Sequence, residues 1–177
     1  MTAQSNYLAG KRTEIHPYKT REGGATVTVF VPYNCLNNCP FCINKAEYEN
    51  PEGFSADKIC ESIRRMDAIT PYCDFVFTGG EPFADLNVLQ QMLDEIPKTH
   101  KVYINTTLPV SKFQTEDDIV RFTEKNKDKI TCINVSRHMQ HYVVESNDGL
   151  LKRIAVPFRI NCVLYKDYPN QDMISYL

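Results

Sequence analysis

Three cysteines sit within eight residues, in the segment Cys35-Leu36-Asn37-Asn38-Cys39-Pro40-Phe41-Cys42. Thiolates three and two residues apart can wrap one face of a compact metal site. Structural zinc prefers four protein ligands, commonly two separated CxxC pairs or cysteines mixed with histidines. This chain has no second pair, and no histidine lies near the first. Electron-transfer cubane clusters usually take four cysteines. Three would leave one iron without a protein ligand, and an open coordination position is what chemistry at a metal requires. Spacing alone leaves three readings: a cubane cluster, a zinc site, or cysteines buried together by chance.

A second segment with chemical content is Thr78-Gly79-Gly80-Glu81-Pro82. Paired glycines let a backbone approach a ligand closely and adopt dihedrals closed to other residues. Glu81 adds an acceptor suited to an ammonium group. Taken alone, such a sequence is an ordinary turn.

The elements that must position these residues alternate between strand and helix. Ala25 to Val31, rich in valine and threonine, reads as the first strand and leads into the cysteine segment. Ser55 reads as the N-cap of a helix with Ile59, Ile63 and Met66 on one face, running to about Asp67. Asp74 to Phe77 is the second strand and runs into the glycine turn. Leu86, Leu89, Leu93 and Ile96 outline a helix stopped by Pro97. Lys101 to Asn105, Ile130 to Val135 and Phe158 to Tyr165 are further strands. Glu116 to Lys125 and Asp148 to Ala155 are helices, and Gln171 to Leu177 reads as the opening of another. Thr115 and Asp118 make a weakened capping box.

Strands separated by helices imply a parallel sheet with right-handed crossovers. The cysteines, the Gly-Gly-Glu turn, Asn105-Thr106-Thr107 and Ser136-Arg137-His138 all follow strands. They therefore gather at the end of a parallel barrel where active sites collect.

The CxxxCxxC spacing, with aromatic Phe41 just before the third cysteine and a Gly-Gly-Glu turn after the second strand, resembles the radical S-adenosylmethionine (SAM) superfamily. The resemblance implies an α/β fold, a partial (β/α)6 TIM-like barrel of parallel strands with outer helices. It implies a [4Fe-4S] cluster on Cys35, Cys39 and Cys42, with SAM chelating the fourth iron. Reductive cleavage of SAM then gives methionine and a 5′-deoxyadenosyl radical that abstracts hydrogen from a substrate. Phe41 would lie against the adenine, and Gly79, Gly80 and Glu81 would meet the amino group of the methionine part. Thr106 matches a SAM-touching segment after strand three, although the usual glycine is missing. Ser136 matches a serine or asparagine that binds the ribose or carboxylate. Arg137 and His138 stand where many relatives have Leu-Asp, so SAM, substrate and solvent all remain open to them. The segment from Arg159 to Leu164, with Asn170-Gln171-Asp172 beyond it, resembles the molybdenum-cofactor cyclase and peptide-modifying members. Strand alternation turns Arg159, Asn161 and Val163 to one face, and Asn161 is a candidate cofactor contact.

The resemblance covers residues 25–177, with 1–24 as an N-terminal extension. Family cores have six strands, so the sequence reads as truncated after the fifth, leaving Phe158 to Tyr165 as a sheet edge. An electron donor such as flavodoxin or ferredoxin is implied, and the substrate is not legible. A non-enzymatic iron-sulfur or zinc-binding module is the competing class.

Bulk properties add little. A length of 177 residues suits one domain, and 20 basic against 22 acidic residues give a net charge of −2. No basic excess points to nucleic acid. No apolar run has the length of a membrane helix, and the first residues lack a signal-peptide core, so a cytoplasmic protein is expected. Cys60, Cys73, Cys132 and Cys162 are scattered and read as small packing residues. His16 and His100 read as surface or loop residues, and His138 and His141 are too few for a metal site.

Overall fold

The computed structural model describes residues 24–32, 35, 37, 39, 41, 42, 44, 55–70, 72–111, 114–137 and 148–161. Residues 1–23 of the N-terminal extension, with His16, and His138, His141, Cys162, the segment from Val163 to Tyr165, Asn170 to Asp172 and the expected final helix lie outside them.

Five strands form one parallel sheet in sequence order: β1 (Ala25–Val31), β2 (Cys73–Gly79), β3 (Lys101–Thr106), β4 (Cys132–Ser136) and β5 (Phe158–Asn161). The crossovers carry α1 (Ala56–Ile69), a one-turn 3-10 helix (Pro82–Ala84), α2 (Leu86–Asp94), α3 (Glu116–Lys125) and α4 (Asp148–Leu151). Each neighbour in the sheet is the next strand in sequence, which is the order of a (β/α) barrel wall.

The sheet is chemically two-sided. Val29 and Val31 of β1, Phe75 and Phe77 of β2, Val102 and Ile104 of β3, and Ile133 and Val135 of β4 alternate onto one face and are buried. Cys60, Ile63, Leu89, Met92, Leu93, Ile119 and Phe122 pack over that face from the helices. Fully burying a side chain such as Phe75 or Phe77 stabilises the fold by about 1.5–3 kcal/mol. The other face is mostly polar. The register places Asp74 beside Lys101, Asn105 beside Asn134, Asn134 beside Arg159 and Ser136 beside Asn161. Such a face suits a wet barrel interior rather than a second apolar layer.

Local signals set the helix boundaries. The Ser55 hydroxyl accepts from the Lys58 amide at 3.3 Å to open α1. The Asp85 carboxylate accepts from the amides of Asn87 and Val88 at 2.9 and 3.1 Å to open α2. The capping box of α3 is complete: the Thr115 hydroxyl accepts from the Asp118 amide, and the Asp118 carboxylate accepts from the Thr115 amide. Aspartate proves long enough for the glutamate role because it takes the Thr115 hydroxyl proton as well, at 2.7 Å. Phe83 and Phe122 meet edge to face, with ring centroids 5.4 Å apart, and seat α3 against the turn after β2.

Element ends differ modestly from the sequence reading. β2 gains Cys73 at its start and Thr78-Gly79 at its end, β4 begins at Cys132 rather than Ile130, and α4 stops at Leu151 rather than Ala155. His100 corrects the reading more substantially. It does lie in the loop before β3, but its side chain is only 1% exposed. Its Nδ1 accepts from the Cys73 amide at 2.8 Å, and Nε2 meets the Asp67 carboxylate at 2.8 Å. The imidazole thereby ties the end of α1 to the starts of β2 and β3. Cys60 and Cys73 are buried as packing residues.

Candidate functional site

Glu81 lies just beyond β2 and is 5% exposed. Four donors surround its carboxylate. The Thr107 amide and hydroxyl both donate to Oε2 at 2.8 Å. The Phe83 amide donates to Oε1 at 3.0 Å, and the Thr106 hydroxyl donates to the same oxygen. Burial pushes the Glu81 carboxyl up from its ordinary value, while the bonds from Thr106, Thr107 and Phe83 pull it down. Four donors match the acceptor capacity of a carboxylate. The side chain therefore locks the turn after β2 onto the loop after β3.

Gly79 ends β2 with φ +104, a conformation natural to glycine. A Cβ there would stand 3.2 Å from Phe30 Cα, Phe30 Cδ1 and Val31 N. The requirement for glycine is therefore both conformational and steric. The Gly79 carbonyl accepts from Asn44 Nδ2 at 3.0 Å. Gly80 follows as a half-buried bend.

Cys35, Cys39 and Cys42 follow β1, all half-buried and none in a disulfide. The Cys42 amide closes a turn onto the Cys39 carbonyl at 3.1 Å, and half-buried Phe41 lies inside that turn. Asn37, between the first two cysteines, donates through Nδ2 to the Thr107 hydroxyl at 3.3 Å. Among the described residues, no three His, Cys, Asp or Glu side chains are gathered as they would be around one ion. A cubane takes each thiolate on a different iron, so it spreads three cysteines more widely than a single ion does. Three cysteines in one loop, none in a disulfide, suit iron-sulfur ligation.

The remaining sequence candidates fall into different roles. Thr106 shares the helix-covered face with Val102 and Ile104, is 2% exposed, and supports Glu81 from behind. Period-two alternation along β3 already carried that signal. Thr107, the next residue, reaches both Glu81 and the cysteine loop. Leu108 beyond it holds φ +55, an uncommon conformation for a residue with a side chain, and its amide donates to the Thr106 hydroxyl at 2.9 Å.

Ser136 ends β4, half-buried, opposite Asn161 of β5, which is exposed. Arg137 is buried, and its Nη1 donates to the carbonyls of Thr107 and Ser136 at 2.8 and 3.0 Å. It braces the loops after β3 and β4. Arg159 donates through Nε to Asn134 Oδ1 at 3.0 Å, and Asn134 Nδ2 donates to Asn105 Oδ1 at 2.7 Å. This polar ladder crosses three strands on the interior face. Asn37 and Asn44 are residues to which sequence reasoning gives no role, and Thr107 is marked only as part of the segment after β3, because only tertiary contact distinguishes them from spacers. A cavity of about 270 Å³ between β1 and α1 is lined by apolar Val27, Val29, Phe30, Ile59, Ile63 and Met66 together with polar Thr28, Lys58 and Ser62.

A parallel sheet in sequence order, with cysteines, a Gly-Gly-Glu turn and polar loops at one end, defines an α/β protein with the strand order of a barrel wall. The family described as 4Fe-4S single cluster domain matches residues 22–147, and the chain belongs to that family. Solved structures with this fold include native anSMEcpe with bound AdoMet and Kp18Cys peptide, at TM-score 0.59 and 19% identity. They also include a hexahistidine-tagged anSMEcpe with bound AdoMet, at TM-score 0.57 and 20% identity. In both cases the match covers 78% of this chain and 43% of the other, so this chain spans less than half the length of those proteins. No curated protein matches the sequence. No helix among the described residues is long and apolar enough to cross a membrane.

Proposed function

We propose that this chain is a radical SAM enzyme that binds its [4Fe-4S] cluster through Cys35, Cys39 and Cys42 and binds SAM across the loops after β2, β3 and β4. One observation carries the reading. The cysteine loop and the Gly-Gly-Glu turn share one end of the sheet and are joined directly, by Asn44 Nδ2 on the Gly79 carbonyl at 3.0 Å. Cys35, Cys39 and Cys42 would hold the cluster, which when bound would supply the electron for reductive cleavage of SAM and so for hydrogen abstraction from a substrate.

The chain's own residues bind and orient. Gly79 and Gly80 present backbone without side-chain bulk to the amino group of SAM, and Glu81 fixes their turn. Phe41 would lie against the adenine. Ser136 would contact the ribose or carboxylate, with Arg137 holding its loop and Asn161 beside it in register. Thr106 acts through Glu81. A flavodoxin or ferredoxin supplies the electron. Two of the similar structures hold a peptide together with AdoMet, which supports a peptide as the substrate class.

The test is anaerobic reconstitution followed by incubation with SAM and dithionite. Uptake of about four irons and four sulfides per chain, with formation of 5′-deoxyadenosine, is the expected result. A chain that loads the cluster but neither binds nor cleaves SAM would be an electron-transfer module instead. Stoichiometric zinc in anaerobically purified protein, with no cluster uptake, would remove the proposal altogether.

A further inference from the structure

Thr107 uses every polar group it has, and its contacts lead to three other parts of the site. Its amide and hydroxyl donate to Glu81 Oε2, both at 2.8 Å. Its hydroxyl oxygen accepts from Asn37 Nδ2 at 3.3 Å. Its carbonyl accepts from Arg137 Nη1 at 2.8 Å. The loops after β1, β2, β3 and β4 thus converge on one threonine.

The directions of these bonds are mutually consistent. A hydroxyl has one proton and two lone pairs. The proton goes to the carboxylate, which leaves a lone pair for the asparagine amide. Donating to a carboxylate in a buried setting strengthens the oxygen as an acceptor, because hydrogen bonds in a chain polarise one another. Asn37 lies between two of the cysteines, so any shift of that loop is felt at Thr107 and then at the turn of Gly79 and Gly80.

We infer that Asn37 and Thr107 are positioning residues that set the cysteine loop at a fixed distance and angle from the SAM-binding turn. This rests on the proposed cluster and SAM sites. Neither side chain need touch iron or SAM. Their effect is to pre-organise two separate ligand sets, so that SAM can meet the turn and the open iron together. The intervening residues of the CxxxCxxC segment are accordingly not mere spacers.

The experiment compares the full chain with Asn37→Ala, Thr107→Val and Thr107→Ser, all reconstituted anaerobically. Iron per chain, SAM affinity by equilibrium dialysis and thermal unfolding of the apoprotein are measured in parallel. Asn37→Ala is expected to weaken SAM binding about fivefold, as loss of one hydrogen bond does, and Thr107→Val by more, because it also removes the hydroxyl bond to Glu81, with iron content unchanged in both. Thr107→Ser keeps the hydroxyl and is expected to restore affinity. The double variant Asn37→Ala/Thr107→Val should lose less than the sum of the singles, since both break the same contact.

Unchanged SAM affinity in Asn37→Ala overturns the inference, and so does loss of iron in step with SAM. Should Thr107→Val fail to fold, Asn37→Ala decides the matter alone, because it alters a half-buried loop side chain. A wild-type chain that loads iron but does not bind SAM fails the proposed function itself. That outcome is visible before any variant is compared.

Discussion

Thr107 donates twice to a single oxygen of Glu81, through its amide and its hydroxyl, each at 2.8 Å. With Thr106 and Phe83 on the other oxygen, the carboxylate is held by donors alone. Glu81 is therefore more than an acceptor offered to a ligand's ammonium group. It joins the turn after β2 to the loop after β3, and the Gly79-Gly80 backbone takes its shape from that junction.

Glu81→Gln places an amide NH2 where only donors point. Leaving buried groups mismatched costs about 1–3 kcal/mol. Urea unfolding of the apoprotein should show that loss, and SAM affinity of the reconstituted protein should fall with it. A Gln variant as stable as wild type would show that the four-donor arrangement is not maintained in solution.

Gly79→Ala combines an unfavourable φ with contacts of 3.2 Å to the backbone and ring of Phe30 and to Val31 N. The strand neighbour is backbone and cannot yield easily. A destabilisation of about 1–3 kcal/mol is expected, read as a shifted denaturation midpoint. Gly149→Ala is the control, since nothing lies within 4 Å of a Cβ there.

His100→Ala removes the acceptor of the Cys73 amide and empties a buried ring site that also contacts Phe75, 5.5 Å between centroids. The expected cost is about 2–4 kcal/mol. His100 stands at the start of β3, at the opposite end of the strands from Glu81, so iron content and SAM affinity of the folded variant should be unchanged. Weakened SAM binding in fully folded protein would contradict the division of the barrel into a stability end and a ligand end.

The Asp118 capping box predicts a pH dependence. Hydrogen bonds from the Thr115 hydroxyl and amide hold the Asp118 carboxyl below its ordinary range. A depressed value in the folded state means stabilisation that is complete above the ordinary value of 3.8 and is lost as pH falls through the lower folded value. Asp118→Asn should therefore lower the melting temperature at neutral pH, and the gap to wild type should narrow below about pH 4. A gap independent of pH would assign the effect to helix propensity instead.

Much of this molecule is legible from order and spacing alone. Alternating β-branched runs and helical periodicities fix a parallel α/β sheet, because a strand followed by a helix can return to the sheet in one hand only. The cysteine spacing and the Gly-Gly-Glu turn mark the site, because each occupies the segment after a strand. Ser55 and Thr115 announce their helices, since capping depends on residues within one turn.

What stays open at the level of sequence depends on contacts between distant segments. Thr106 and Thr107 are adjacent and chemically alike. Only the end of β3 and the approach of the cysteine loop make one a support behind Glu81 and the other the meeting point of four loops. Arg137 is left open to SAM, substrate or solvent by its sequence position, and burial with bonds to two carbonyls gives it a bracing role. His100 reads as a loop residue until the end of α1 and the start of β2 close over it. Asn37 and Asn44 carry no local signal, because a lone asparagine amide acquires its role from the partner across space. Sequence determined which segments follow the strands and gather at one end of the sheet, since strand direction and connection order are local and additive. Tertiary packing decided which side chains there bind and which hold others in place, since a buried polar group is defined by the partners that desolvation forces upon it.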